Sequence, residues 1–150
     1  MSVTLTLPEG YAYAGTAIMS TFWLTFWQTT RVGRARVKAG IKYPQAYAEV
    51  AEAAASPEAH KFNCAQRAHQ NTLEFLPMII TSTAVAALKY PIVAASLCGA
   101  WVFFRVFYTI GYCSGEASKR NKFGGAMFSA MSAVGLLGTA TFTAVKLIFA

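Results

Sequence analysis

Two stretches of this chain run without a single charge for about the length a helix needs to cross a lipid bilayer: residues 10–30, GYAYAGTAIMSTFWLTFWQTT, and residues 123–145, FGGAMFSAMSAVGLLGTATFTAV. A membrane-crossing helix takes roughly 20 apolar residues to pass about 30 Å of hydrocarbon. Each run is closed by a basic residue, Arg31 for the first and Lys146 for the second. A cleaved leader would carry basic residues before its apolar stretch and a small-residue cleavage site after it. Here Glu9 precedes and Arg31, Arg34 and Arg36 follow, so the first run is expected to be a retained anchor.

Between them lie two less pure runs, LEFLPMIITSTAVAAL ahead of Lys89, and YPIVAASLCGAWVFF followed by Arg105 and VFYTIGYCSG. A soluble middle flanked by two spans is one reading. The density of Ile, Val, Leu, Phe and Trp favours four spans, and so does a charged fraction of 13%, against about a quarter in soluble domains. The expectation is an all-α integral-membrane four-helix bundle, a single domain over 1–150 with spans at 10–36, 62–89, 91–115 and 121–148. Pro91 disfavours helix at the residue before it, so Lys89-Tyr90-Pro91 is expected to turn spans two and three into an antiparallel hairpin.

The net charge of +7 is bunched. Arg31, Arg34, Arg36, Lys38, Lys42 and Lys61 fall in the first connection, and Lys119, Arg120 and Lys122 in the third. The positive-inside rule places both connections in the cytoplasm and both termini on the opposite side. Basic residues so placed mark topology, and no nucleic-acid partner is expected. AEVAEAAASPEA (48–59) reads as a short surface helix ended before Pro57. Cys64, Cys98 and Cys113 show no C-x-x-C spacing, and His60 with Cys64 lacks a second ligand pair, so no metal is expected. Gly111 with Gly115, and Gly135 with Gly138, read as packing positions, and Trp23, Trp27 and Trp101 as lipid or interface contacts.

The stretch FNCAQRAHQNTLEF (62–75) sets a polar block at the head of the second span. On a helix, Arg67, Asn71 and Glu74 share one face, with Gln70 beside them. Arg105, Tyr108 and Tyr112 form a similar row on the third span. An unpaired ionisable group inside a membrane costs about 2.5–3.5 kcal/mol, so an Arg105–Glu74 structural ion pair is expected. Polar rows of this kind also serve as interhelical glue, and Lys119, Arg120 and Lys122 also suit contact with anionic lipid. The whole set, with Arg36 and Arg120, offers more donors than acceptors. That surplus suits a small anionic guest bearing carboxylates and amides.

The motifs FNCAQRAHQNTLEFLP (62–77), RVFYTIGYCSGEASKR (105–120) and RARVKAGIKYP (34–44) together resemble the membrane-associated eicosanoid and glutathione metabolism (MAPEG) family, most closely its branch of type 3 microsomal glutathione transferases. That resemblance implies four transmembrane helices per chain, a homotrimer, an endoplasmic reticulum membrane, and glutathione as co-substrate without a metal. It implies glutathione contacts from Arg67, Asn71, Glu74, Tyr108 and Tyr112, with Arg36 and His69 supplied by the neighbouring subunit, and Gln70, whose amide suits the guest's amides, is expected beside them. An arginine that holds the glutathione sulfur as thiolate is implied at Arg120, with Lys119 as the alternative. Phe75 and Val37 stand where some relatives carry a tyrosine and a second arginine. The implied activity is a glutathione transferase with peroxidase activity on lipophilic substrates. The alternative is a non-catalytic lipid-binding scaffold.

Overall fold

The computed structural model describes residues 6–149. The two extreme ends, expected opposite the basic connections, lie outside them. Five α-helices follow in order: α1 Tyr11–Ala39, α2 Val50–Ala55, α3 Pro57–Ala86, α4 Pro91–Tyr112 and α5 Gly125–Ile148, with a 3₁₀ segment Ala117–Gly124 ahead of α5. No strand occurs among the described residues.

Local chemistry accounts for the breaks. Gly40, with φ at 68°, ends α1 in the left-handed conformation that a side chain disfavours. Glu49 and Glu52 form a reciprocal cap on α2. Ser56 accepts from the Ala59 N–H, and Pro57 takes the first helical position of α3, where its missing N–H has no cost. The Ala/Glu-rich segment is thus a short helix that ends before Pro57, as expected, and the same proline opens the next helix. Pro91 likewise opens α4 directly after the turn that follows α3, giving the antiparallel hairpin. Pro77 lies inside α3 without ending it.

The four long helices run up and down in chain order. The core joins α1, α3, α4 and α5 through small side chains, Ala14, Ala86, Ala94, Cys98, Ala133 and Ala140, around Trp101, Ile79 and Leu136. Small residues let helix backbones approach closely where apolar burial drives nothing. Trp101, expected at lipid, is wholly buried instead; Trp23 is 70% exposed.

Polarity is inverted relative to a soluble bundle. Helix α1 turns Thr21, Gln28 and Arg36 inward and leaves Met19, Phe22, Trp23 and Phe26 exposed, and α5 exposes Met131, Val134, Leu137 and Phe142. Large contiguous apolar surface marks a membrane or partner contact. By length and apolarity, two helices are able to cross a bilayer, Pro91–Tyr112 and the continuous segment Ala117–Ile148. Helices α1 and α3 fall below that measure because Thr, Ser and Gln interrupt the first and the polar block dilutes the second. The run expected to be the purer, in α1, is therefore less apolar than α4.

Candidate functional site

The polar block lies in the first half of α3 and spreads over three faces. On one face Asn63 clamps the loop after α1, accepting from the Ala48 N–H at 2.8 Å and donating to its carbonyl at 2.9 Å. Gln70 takes the hydroxyl of Tyr47 from the same loop. Arg36 fixes the loop from the α1 side. It is buried, donates to the Gln45 carbonyl at 2.7 Å, and is sandwiched between the rings of Tyr43 and Phe62 at 4.3 and 4.6 Å.

The second face meets α1. Gln28, fully buried, donates to Thr72 at 2.9 Å and Thr109 at 2.7 Å, while its carbonyl oxygen lies 3.3 Å from His69 Nδ1. His69 Nε2 lies 3.3 Å from the Thr29 hydroxyl. One amide therefore ties α1, α3 and α4 together. Arg36 and His69, implied to serve a neighbouring subunit, both have their partners within this chain.

The third face meets α4 and carries the expected row. Arg67 pairs with Glu74 at 2.8 Å, two turns along the helix, and both side chains stay nearly half exposed. Asn71 between them donates to Glu74 at 3.3 Å, and its oxygen accepts from Arg105 at 2.8 Å and from the Tyr108 hydroxyl at 3.3 Å. The ion pair expected between Arg105 and Glu74 is not formed. Glu74 is already held by Arg67 on its own helix, and Arg105 reaches only the amide.

Arg105 is 3% exposed and lies among aromatic faces: Phe75 at 4.9 Å, Trp101 at 5.3 Å and Tyr108 at 4.5 Å. Cation–π contacts partly replace the missing carboxylate. Its Nε is buried without a partner. Phe75, noted only as a lost tyrosine, thus serves as a stacking face for this cation. The Tyr112 ring lies against that of Tyr108 at 5.6 Å, tilted by 56°, and stays partly exposed.

The 3₁₀ segment sits directly on the end of α4. A methyl group added to Gly111 would collide with the Lys119 carbonyl, and one added to Gly125 would fall 2.9 Å from Tyr108 Cα and 3.0 Å from the Arg120 carbonyl oxygen. The missing side chains allow the backbone of Arg120 to border that of Tyr108. Gly111 is therefore a packing position, whereas Gly115, with φ at 94°, makes a turn. The two cations differ in engagement. Lys119 is paired with Glu116 at 2.7 Å, and the Arg120 side chain is exposed with no ion pair among the described residues.

Tyr47 and Gln28 were not singled out in the sequence. Burial pushes the Tyr47 phenol up, with the Arg67 guanidinium opposing it, so a loop tyrosine stands beside the Arg67–Glu74 pair. Its only sequence signal is its place just past the RARVKAGIKYP motif. Gln28 is visible as the one amide in the first apolar run. His60 and Cys64 act at a joint: His60 Nε2 lies 2.8 Å from the Gly115 carbonyl and 3.7 Å from Cys64 Sγ, which ties α3 to the turn after α4.

The profile of the MAPEG family matches residues 13–142, which takes in all of this geometry. The chain belongs to the MAPEG family. Its members are membrane-associated and use glutathione, and they include glutathione transferases and peroxidases as well as non-catalytic proteins. In this MAPEG chain, Arg67, Asn71, Glu74, Arg105 and Tyr108 form one bonded cluster. Gln70 joins it through the Tyr47 loop, Tyr112 by a tilted ring contact with Tyr108, and Arg120 by backbone proximity. Arg36 and His69 stand apart from it.

Proposed function

We propose that this protein is a membrane-bound glutathione transferase with glutathione-dependent peroxidase activity, of the type 3 microsomal branch. In this reading α1, α3, α4 and α5 all cross the endoplasmic reticulum membrane, with the basic connections in the cytoplasm, and three chains assemble around shared sites. The observation that carries it is the cluster built on Asn71. It offers an outward cation in Arg67, a carboxylate in Glu74 and a tyrosine row, at the end of the bundle where the basic residues gather.

Glutathione carries two carboxylates, two amides, an ammonium and a thiol. Arg67 suits a carboxylate, since a guanidinium forks onto its two oxygens. Glu74 suits the ammonium, Tyr112 supplies a hydroxyl donor, and Tyr108, whose O–H is given to Asn71, offers its hydroxyl oxygen as an acceptor. The exposed Arg120 guanidinium would face the sulfur. A free thiol ionises near pH 8.5, and a fixed cation lowers that value. Engagement of Lys119 by Glu116 favours Arg120 for this role. The thiolate then attacks an apolar electrophile to form a thioether. With a lipid hydroperoxide, two glutathiones give the disulfide while the peroxide becomes alcohol and water.

The test is the ultraviolet absorbance of the thiolate when purified protein is mixed with glutathione, for wild type, Arg120→Ala and Lys119→Ala. The expected result is a signal lost in Arg120→Ala and kept in Lys119→Ala. Loss only in Lys119→Ala would reassign the cation. Absence of both thiolate signal and conjugation in the wild type would favour the scaffold reading.

A further inference from the structure

Around α3, roughly 120° or more from the Arg67 row, the basic ends of α1 and α3 enclose a cleft of about 340 Å³. Helix α1 lines it with Arg31, Arg34 and Lys38, spaced i, i+3, i+7 on one face, and α3 with Glu58 and Lys61 one turn apart. Cys113, just past α4, also lines it. None of these residues belongs to the cluster on Asn71.

Four cations therefore surround one carboxylate. The two ion pairs among the described residues are Arg67–Glu74 and Lys119–Glu116, so none of the four is paired. Arg31 Nε is buried without a hydrogen-bond partner, and its guanidinium lies 5.1 Å above the Trp27 ring. Like charges one turn apart on a helix repel. A cleft that holds them together with a buried idle donor is complementary to a guest with several anionic oxygens.

Size and level narrow the guest. Ligand pockets run from roughly 300 to 1,000 Å³, so this one admits a headgroup rather than only a bare ion. Arg31 directly follows the uncharged run 10–30, and one and two turns below it on the same side of α1 stand Trp27, against the Arg31 guanidinium, and the exposed Trp23. Tryptophan is enriched at headgroup level. An anion in the cleft thus sits where phosphates lie, with apolar helix surface beneath for acyl chains.

We propose that this cleft binds an anionic phospholipid, its phosphate held by Arg31, Arg34, Lys38 and Lys61. The inference rests on α1 crossing the membrane and not on the glutathione chemistry. A lipid seated there braces α1 against α3 at the end where the glutathione cluster lies.

The test uses the full chain in neutral detergent with phosphatidylcholine micelles, with or without phosphatidic acid. Native mass spectrometry counts retained lipid. In a Cys64→Ser/Cys98→Ser background, the maleimide alkylation rate of Cys113 reports occupancy. Phosphatidic acid is expected to be retained at one per chain and to slow alkylation. Arg34→Gln/Lys38→Gln is expected to weaken binding about 10- to 30-fold, each cation near a lipid surface being worth about a factor of five. Equal retention of phosphatidylcholine, or unchanged binding by the double variant, would overturn the proposal. So would equal protection by inorganic phosphate, which assigns a free-phosphate site, or by glutathione, which merges the cleft with the other site. Detergent-phase partition of the same samples checks the membrane placement separately.

Discussion

Asn71→Ala removes the acceptor that the buried Arg105 guanidinium reaches at 2.8 Å. A hydrogen bond to a charged group contributes about 1.5–3 kcal/mol, and stranding a buried charge by removing its partner costs about 3–5 kcal/mol where that partner is a carboxylate. An amide is a weaker partner, and the rings of Phe75, Trp101 and Tyr108 remain around the cation. The expected loss is therefore about 2–3 kcal/mol, or roughly 30- to 150-fold in the unfolding equilibrium. Trp101, wholly buried 5.3 Å from the guanidinium, is the natural reporter. Unfolding by rising dodecyl sulfate fraction in mixed micelles, without glutathione, gives the number by fluorescence. The same substitution in an Arg105→Met background should cost at least about 1 kcal/mol less, since contacting residues couple. Additivity within about 0.5 kcal/mol would refute the account. In a Glu74→Gln background, which removes the carboxylate that the Asn71 amide faces at 3.3 Å, Asn71→Asp keeps an acceptor and supplies a carboxylate to Arg105, so its stability should stay within about 1 kcal/mol of that background. A loss equal to that of alanine would show that the amide donor, not the acceptor, is what counts.

Gly111→Ala should shift the 3₁₀ segment through the collision with the Lys119 carbonyl, and reduce glutathione thiolate formation while helix content by circular dichroism is kept; an unchanged thiolate signal would uncouple Arg120 from this packing. Gln28→Leu should destabilise by about 1–2 kcal/mol in the micelle assay, because Thr72 and Thr109 keep their bonds to the Ala68 and Arg105 carbonyls while His69 loses a partner. Arg67→Ala should weaken glutathione binding by titration calorimetry about ten-fold or more, the range for a lost charged hydrogen bond, and unchanged affinity would remove Arg67 from the site.

The shared face of Arg67, Asn71 and Glu74 was legible because helical spacing is a one-dimensional property: residues four and seven apart align whatever surrounds them. The partners were not. Electrostatics suggested Arg105 for Glu74, yet the nearer cation on the same helix took the carboxylate, and an amide took the arginine. Trp101 failed for a related reason. A tryptophan in an apolar run suits both lipid and core, and only the stacking of α4 against its neighbours decides.

By itself, the sequence determined the helices, the turn at Pro91, the crowding of basic residues at the connections and the membership of a family. These depend on local propensity, charge and pattern, which the chain carries wherever it folds. The tertiary structure alone decided that Arg36 and Asn63 bind a loop, that Gln28 joins three helices, that Gly111 admits the Arg120 backbone, and that α1 and α3 set four cations around one cleft. Each needs two segments distant in sequence to meet at a few ångströms, and that distance is set by packing, not by pattern.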